Sequence, residues 1–345
     1  LAIPRVALTT DLARALGWIA DDRYVDSPAA TLEQLARFHR ADYIEALADA
    51  DRQQQVSAEV RGRHNIGGFE NPVFAGMFTR PAIACGGSIR AAELAAEGRR
   101  VYHPAGGTHH GQPDRASGFC YFNDPVLAIL SFLDRGLARV AYVDIDAHHG
   151  DGVEAAFAAD PRVLCLSVHE AGRWPYSGAA SDRAGGSARN LPVPAGLNDD
   201  EMDYIADRAL LPLLESFGPD AVVVQGGADA LADDPLSRLQ LSNGALWRVV
   251  ARLMPLSSRM VVLGGGGYNP WAVARCWAGM WATLNGYSVP ARLPPEAETL
   301  LRHVRWRRLD GRRAPERWFV TLADEPRQGP VREAVKRVVA EAVAP

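Results

Sequence analysis

The sequence predicts an α/β fold, a parallel sheet with helices on both faces. Short apolar runs alternate with helical segments from about residue 80 to 285. The runs Val140-Ala-Tyr-Val143, Ala221-Val-Val-Val224 and Met260-Val-Val-Leu263 are continuous, as strands buried on both faces must be. Three runs also end abruptly in polar residues flanked by glycine, and ligands of open parallel sheets bind beyond the carboxyl ends of strands.

In order, residues 1–60 read as helical. Leu8, Leu12, Ala15 and Leu16 keep helical spacing, Thr31 caps the segment up to His39, and Asp42 opens another helix. Residues 61–76 read as a loop by their Gly and Asn content. Ala82 to Ala96 is an Ala-rich helix that stops before Gly98. Val101-Tyr-His103 is a short strand leading into the loop Pro104 to Pro113. Ser117 to Asp124 feeds a helix through about Leu133, and Val140 starts the next strand. A helix from Val153 to Ala159, a strand from Arg162 to Val168 and a long loop to Asn198 follow. Asp199 starts a helix to about Phe217, before the strand Asp220 to Gln225. Leu241 to Leu253 is helical, Arg259 to Gly264 a strand, and Trp271 to Leu284 a Trp-rich helix. The Pro- and Arg-rich tail ends in a helix, Val331 to Val343. The expectation is one domain over 1–345, with a helical part (1–100), a sheet core (101–285) and a tail (286–345) packed on it.

Composition is that of a globular chain, 48% hydrophobic and 23% charged over 345 residues. A net charge of -4 offers no global electrostatic case for nucleic acid as a partner. Six arginines between Arg302 and Arg313 read as a solvated or internally paired segment. No apolar run approaches the roughly 18 residues that span a membrane, and no signal-peptide pattern opens the sequence. Cys85, Cys120, Cys165 and Cys276 form no CxxC pair and predict reduced thiols in a cytoplasmic protein.

The chemistry concentrates after Val143. Asp144, Asp146, His148, His149 and Asp151 fall within eight residues, closed by Gly150 and Gly152. A strand period of two turns Asp144, Asp146 and His148 to one side. Carboxylates beside imidazole suit a transition metal such as zinc. Asp229, after the Val-Val-Val strand, offers a third ligand, and three protein ligands leave a position open for water or substrate. His109 and His110 offer proton transfer, with Asp144 and Asp151 as carboxylates to orient them. Tyr268 follows four glycines, Gly264 to Gly267, which let the backbone pass close to a substrate. Taken singly, Tyr268 and the His-His pair are weak signals, and Phe119 and Trp174 could be ordinary core aromatics. His39, His64, His103, His149, His169 and His303 read as structural or surface groups.

Five segments together resemble the zinc-dependent histone deacetylase family. They are Gly106-Gly-Thr-His-His-Gly111, Ser117-Gly-Phe-Cys-Tyr-Phe-Asn-Asp124, Val143-Asp-Ile-Asp-Ala-His-His-Gly-Asp-Gly152, Gly226-Gly-Ala-Asp229 and Gly264-Gly-Gly-Gly-Tyr-Asn269. Bacterial acetoin utilization proteins are the most similar members, and acetylpolyamine amidohydrolases somewhat less so. The resemblance covers about residues 1–285 and implies an arginase-like fold with an eight-stranded parallel sheet. It implies a metal, Zn2+ or Fe2+, on Asp146, His148 and Asp229. His110, paired with Asp151, matches the general base, and His109, paired with Asp144, the second histidine. Tyr268 matches the residue that hydrogen-bonds the substrate carbonyl. Gly118, Phe119, Trp174 and Gly266 match the substrate tunnel. A structural K+ falls to Asp144, Asp146, His148, Ser167 and Val168, with a second site near Phe157 and Val163. Arg5 falls where an arginine lines the acetate exit, and Glu70 where some members carry a rim acid. The implied activity is hydrolysis of N-acetyl-lysine in proteins, with small acetylated amines such as acetylpolyamines as the alternative.

Two other readings fare worse. A two-manganese ureohydrolase needs further carboxylates where Gly150 and Leu231 stand. A non-catalytic acetyl-lysine binder should have lost a metal ligand, the base or the tyrosine, and all are present.

Overall fold

The structure, a computed structural model, describes residues 3–308, 311 and 313–344. Its strands are β1 (Arg100–His103), β2 (Val140–Asp144), β3 (Val163–Glu170), β4 (Ala188–Val193), β5 (Ala221–Gln225) and β6 (Met260–Leu263). They form one parallel sheet in the order β1-β6-β5-β2-β3-β4. The expected eight strands are therefore corrected to six among the described residues. Pairing outside these six is limited there to single bridges, Leu231 to Leu241 and Ser117 to Cys120. Asp233, Asp234 and Pro235 lie within the first of these segments and disfavour a ladder.

β4 lies inside the stretch expected to be loop. All its residues are buried except Arg189 and Pro192, which are half-buried and lie on opposite faces of the strand. Pro192 is tolerated because β4 is an edge strand and needs no second ladder of N–H donors.

Period two sorts the strand residues between two cores. Ala141, Val143, Leu166, Val222 and Val224 face a core built with the helices Asn243–Leu253 and Pro270–Asn285. Val140, Tyr142, Cys165, Ala221 and Val223 face another, built with Thr79–Ala96 and Asp124–Asp134. The expected helix Asp199 to Phe217 is continuous but opens into a π turn at Ala206–Leu210, just before Pro212, whose missing N–H disfavours regular α pairing. Residues 58–64, partly expected as loop, form a helix capped by Ser57. The segment from Thr31 closes a full capping box but makes only one turn, Leu32–Leu35. The terminal helix Glu333–Val343 packs on β4, and Arg5–Ala15 lies against Pro270–Asn285.

This topology fixes the place of the site. β2 continues into β3 and β4 on one side, and the chain returns on the other side with β5 and β6. The strand order reverses between β2 and β5, which opens a crevice beyond their carboxyl ends. The segments following β1, β2, β3, β5 and β6 all converge there.

Candidate active site

Asp146 and His148 follow β2, and Asp229 follows β5. One ligand atom from each lies within 4.8 Å of the others. His148 Nδ1 is 3.2 Å from Asp146 Oδ1 and 3.0 Å from Asp229 Oδ2. Backbone N–H groups hold the remaining oxygens: Gly266 donates to Asp146 Oδ2 at 2.7 Å and Ala147 to Asp229 Oδ1 at 2.9 Å. A Cβ at Gly227 would sit 2.0 Å from Asp146 Oδ2, and one at Gly266 2.0 Å from Asp229 Oδ2. Only glycine allows this approach.

Burial opposes charge on His148, yet the Asp229 and Asp146 carboxylates raise its pKa to about 10. Burial also opposes charge on Asp146, but His109 and His148 hold it below the usual carboxylate range. Burial and the Asp146 charge push Asp229 upward. Two buried carboxylates this close favour positive charge beside them, which the His148 imidazolium supplies and a bound cation would supply in its place. Two oxygens and one imidazole, fixed from behind by backbone donors, fit a divalent transition metal with an open coordination position.

Two His–Asp pairs stand beside this triad. His109 Nδ1 is 2.7 Å from Asp144 Oδ2, and His110 Nδ1 is 2.6 Å from Asp151 Oδ1. Their ring centroids are 3.9 Å apart, so the two rings cannot both carry charge cheaply. Burial lowers both. For His109 the Asp144 and Asp146 charges prevail and lift the pKa to about 9. For His110 burial and the neighbouring His109 charge prevail over Asp151 and press it to about 3. The physical difference is the set of neighbouring charges: His109 has the Asp144 and Asp146 carboxylates beside it, whereas His110 faces the charged His109. His109 holds the proton and His110 stays neutral, with Nε2 free.

Tyr268, after β6, takes its position from the backbone: its N–H donates to Asp234 Oδ2 at 2.6 Å. Burial and then the Asp229 and Asp146 charges raise its pKa well above the ordinary tyrosine value, so the phenol remains a donor. Triad, histidines and Tyr268 line one cavity of about 180 Å3, together with Arg5, Gly118, Phe119 and Gly266. Larger clefts, about 250 Å3 beside Asp233 and about 710 Å3 beside Trp306, gather no comparable ligand set among the described residues.

The histone deacetylase domain matches residues 2–284 of this chain. The chain belongs to the histone deacetylase family.

It is 35% identical over 309 residues to the acetoin utilization protein AcuC of Bacillus subtilis, covering 85% of this chain and 79% of that protein. It is 32% identical over 298 residues to histone deacetylase 8 of Xenopus tropicalis, covering 84% and 80%. The crystal structure of an HDAC homolog complexed with SAHA superposes with a TM-score of 0.95 at 37% identity, covering 100% of this chain and 94% of that one. A crystal structure of an HDAC homolog from Aquifex aeolicus gives the same values. The chain is accordingly an amide hydrolase of the deacetylase type.

Within this histone deacetylase fold, the remaining expected residues fall as follows. Arg5 donates from Nη1 to Gly265 O at 2.8 Å. Gly118 has φ +55, and Trp174 stands beside it, edge-on to His110 with ring centroids 4.6 Å apart. Phe119 faces Tyr268 at 6.4 Å. Glu70, expected at the rim, accepts the Gly118 N–H at 2.6 Å. Ser167 pairs with Asp144 in the β2–β3 register, next to the buried Val168, and its hydroxyl meets His169 Nδ1 at 2.9 Å. Phe157 and Val163 sit together in the core behind β2. Arg302 pairs with Glu298 and Glu316, while Arg312 of the basic segment lies outside the described residues. No helix among the described residues is long and apolar enough to cross a membrane.

Sequence reasoning missed the residues that hold the histidine loop. Asp124 is fully buried and accepts from Ser88 Oγ (2.5 Å) and from the N–H groups of Gly107 (3.0 Å) and Thr108 (2.8 Å). Asn123 caps its helix through Val126 N–H and donates to the carbonyls of His109 (3.2 Å) and Gly111 (2.9 Å). Asp234 and Gln112, which reaches Asp151 Oδ2 at 3.0 Å, were likewise unremarked. The available signal was Asn123-Asp124 before Pro125, which on its own marks only a helix start.

Proposed function

We propose that this protein removes acetyl groups from N-acetyl-lysine side chains of polypeptides, releasing acetate. The observation that carries the proposal is convergence: a buried triad for a metal, two His–Asp pairs of opposite protonation and a protonated tyrosine share one narrow cavity. Asp146, His148 and Asp229 would hold a divalent metal, zinc or ferrous iron, which when bound would supply Lewis-acid polarisation of the amide carbonyl and a more acidic water. Neutral His110 takes a proton from the attacking water at Nε2, because its Nδ1 is engaged with Asp151. Protonated His109, held by Asp144, keeps positive charge beside the reacting carbonyl and a proton for the departing amine. Tyr268 donates to the oxygen on which charge develops. Gly118, Phe119 and Trp174 enclose the methylenes of the acylated side chain and exclude water from it. The Arg5 guanidinium offers acetate a charged partner on leaving.

A structural K+ would draw on Asp144, Asp146, His148, Ser167 and Val168, where oxygen donors suit a hard cation. The alternative substrate is a small acetylated amine. Against it, the carboxylates lining the cavity are those of the triad, Arg5 adds positive charge, and Glu70 is committed to Gly118. A second ammonium finds little to bind there. The test is kcat/KM for an acetyl-lysine peptide against acetylated putrescine and spermidine, using metal-defined enzyme. A higher value for the small amines would overturn the polypeptide assignment.

A further inference from the structure

Tyr176 is an anomaly on the loop that follows β3. It has φ +64, a left-handed conformation that disfavours any residue with a Cβ, and it is 78% exposed. Glycine would hold this turn at lower cost to the fold. The ring therefore brings the isolated chain little packing in return for the strain, a combination that points to an intermolecular role.

The loop is fixed rather than loose. Arg173 grips Glu170 with two hydrogen bonds (2.6 and 2.9 Å) and donates a third to Leu236 O (2.8 Å). Ser177 Oγ meets His149 Nδ1 at 2.8 Å, and His149 Nε2 lies 3.1 Å from Glu154, which also accepts from Asn190 at 2.7 Å. His149, read from the sequence as a structural or surface group, is thus an anchor of this loop. Between the two anchors, Trp174 is wedged against Gly118 and His110. Across Gly118, Glu70 fixes the neighbouring loop, whose Phe69 is 98% exposed. Two exposed aromatic rings are therefore held on the two loops that meet at Gly118, on the wall of the cavity.

We propose that Tyr176, with Phe69 on the adjoining loop, forms an aromatic rim that grips the polypeptide flanking the acylated lysine and determines specificity for chain substrates. This rests on the polypeptide assignment above and deepens it. Gly118 and Phe119 line the cavity, so a lysine side chain entering it past Gly118 leaves its main chain at the two loops that meet there, and the occupant of the rim is set by the occupant of the cavity. Rigid aromatic rings give such contact at low conformational cost.

The test uses Tyr176→Gly, Tyr176→Phe and Phe69→Ala in metal-loaded enzyme. The readout is kcat/KM for a five-residue acetyl-lysine peptide relative to that for N-acetyl-lysine methylamide. In Tyr176→Gly the ratio should fall about three- to tenfold through KM of the peptide, as expected when an interface ring is deleted. Its melting temperature should hold or rise, because glycine relieves the left-handed strain; a structural role would lower it. Tyr176→Phe should keep the ratio, and Phe69→Ala should lower it. An active wild type whose ratio is unmoved in Tyr176→Gly overturns the rim alone. A wild type that turns over acetylated putrescine but neither lysine substrate overturns the polypeptide assignment and the rim together.

Discussion

Gly118→Ala tests how tightly the cavity wall is built. The added Cβ would lie 2.4 Å from Trp174 Cη2, 2.8 Å from Cζ3 and 2.6 Å from His110 Cδ2. Carbon atoms pack at about 3.5–4.0 Å, so one side must move by about 1 Å. His110 has no room to retreat: Asp151 holds Nδ1 at 2.6 Å and the tilted His109 ring lies 3.9 Å away, centroid to centroid. Alanine at φ +55 adds about 1–2 kcal/mol of backbone strain, and the overpacking about 1–3 kcal/mol. The variant should therefore fold with a lowered melting temperature and a misplaced base. A 1 Å misplacement near the reacting atoms costs on the order of 10²-fold in rate. The assay is kcat and KM on a fluorogenic acetyl-lysine peptide, with metal content and thermal melting in parallel. Loss in kcat identifies His110 as the displaced group, and loss in KM identifies Trp174. Combining Gly118→Ala with Trp174→Ala should restore part of a KM defect and little of a kcat defect. A Gly118→Ala enzyme within threefold of wild type on both constants would refute the contact argument.

Three further outcomes are expected. Asp229→Ala should lose most bound metal by elemental analysis, because Asp146 and His148 alone make a poor site; full metal retention would remove Asp229 from the ligand set. Tyr268→Phe should retain metal and fold but lose roughly 10²–10³ in kcat with a far smaller change in KM; near-normal kcat would remove its phenol from the mechanism. Burial lowers the His39 pKa from 6.5 to about 4, so the unfolded chain binds a proton there that the native chain refuses. Stability should accordingly fall as pH drops from about 6.5 to 4, by up to about 3 kcal/mol from this residue, and His39→Gln should flatten that slope in urea titrations at pH 7 and pH 5. An unchanged slope would place the acid sensitivity elsewhere.

Of the five strands visible in the sequence, β2, β3, β5 and β6 were so because both of their faces are buried, which forces apolar runs such as Ala221-Val-Val-Val224, while β1 showed only as the short Val101-Tyr-His103 before a Gly- and Pro-rich loop. β4 was hidden by the same logic. As an edge strand it tolerates a proline in its run, and with Arg189 and Asn190 breaking the apolar pattern, Arg189-Asn-Leu-Pro192 reads as loop. The expectation of eight strands came from the family resemblance rather than from runs of this kind, and the structure pairs six strands in five ladders. The triad was visible as clustered chemistry at a strand end. Asp229 and Tyr268 were single residues that only their glycine flanks and the family motifs set apart.

The supporting residues were hidden for a different reason. A loop at a parallel sheet's carboxyl edge has no ladder to satisfy its N–H groups, yet the histidine loop is buried, so each donor needs a dedicated acceptor. Asp124 serves Gly107 and Thr108, Asn123 fixes the carbonyls on either side of His110, and His39 Nε2 accepts the Asn123 N–H at 3.0 Å. Each partner is remote in sequence from the atoms it serves, and each looks locally like a cap or a spare core residue. The same burial that presses His110 to a low pKa removes water as an alternative partner for these groups. Tuning the base and needing the buried scaffold are thus one physical condition. A chain that keeps a charged His109 beside a neutral His110 must also keep Asp124 and Asn123 beneath them.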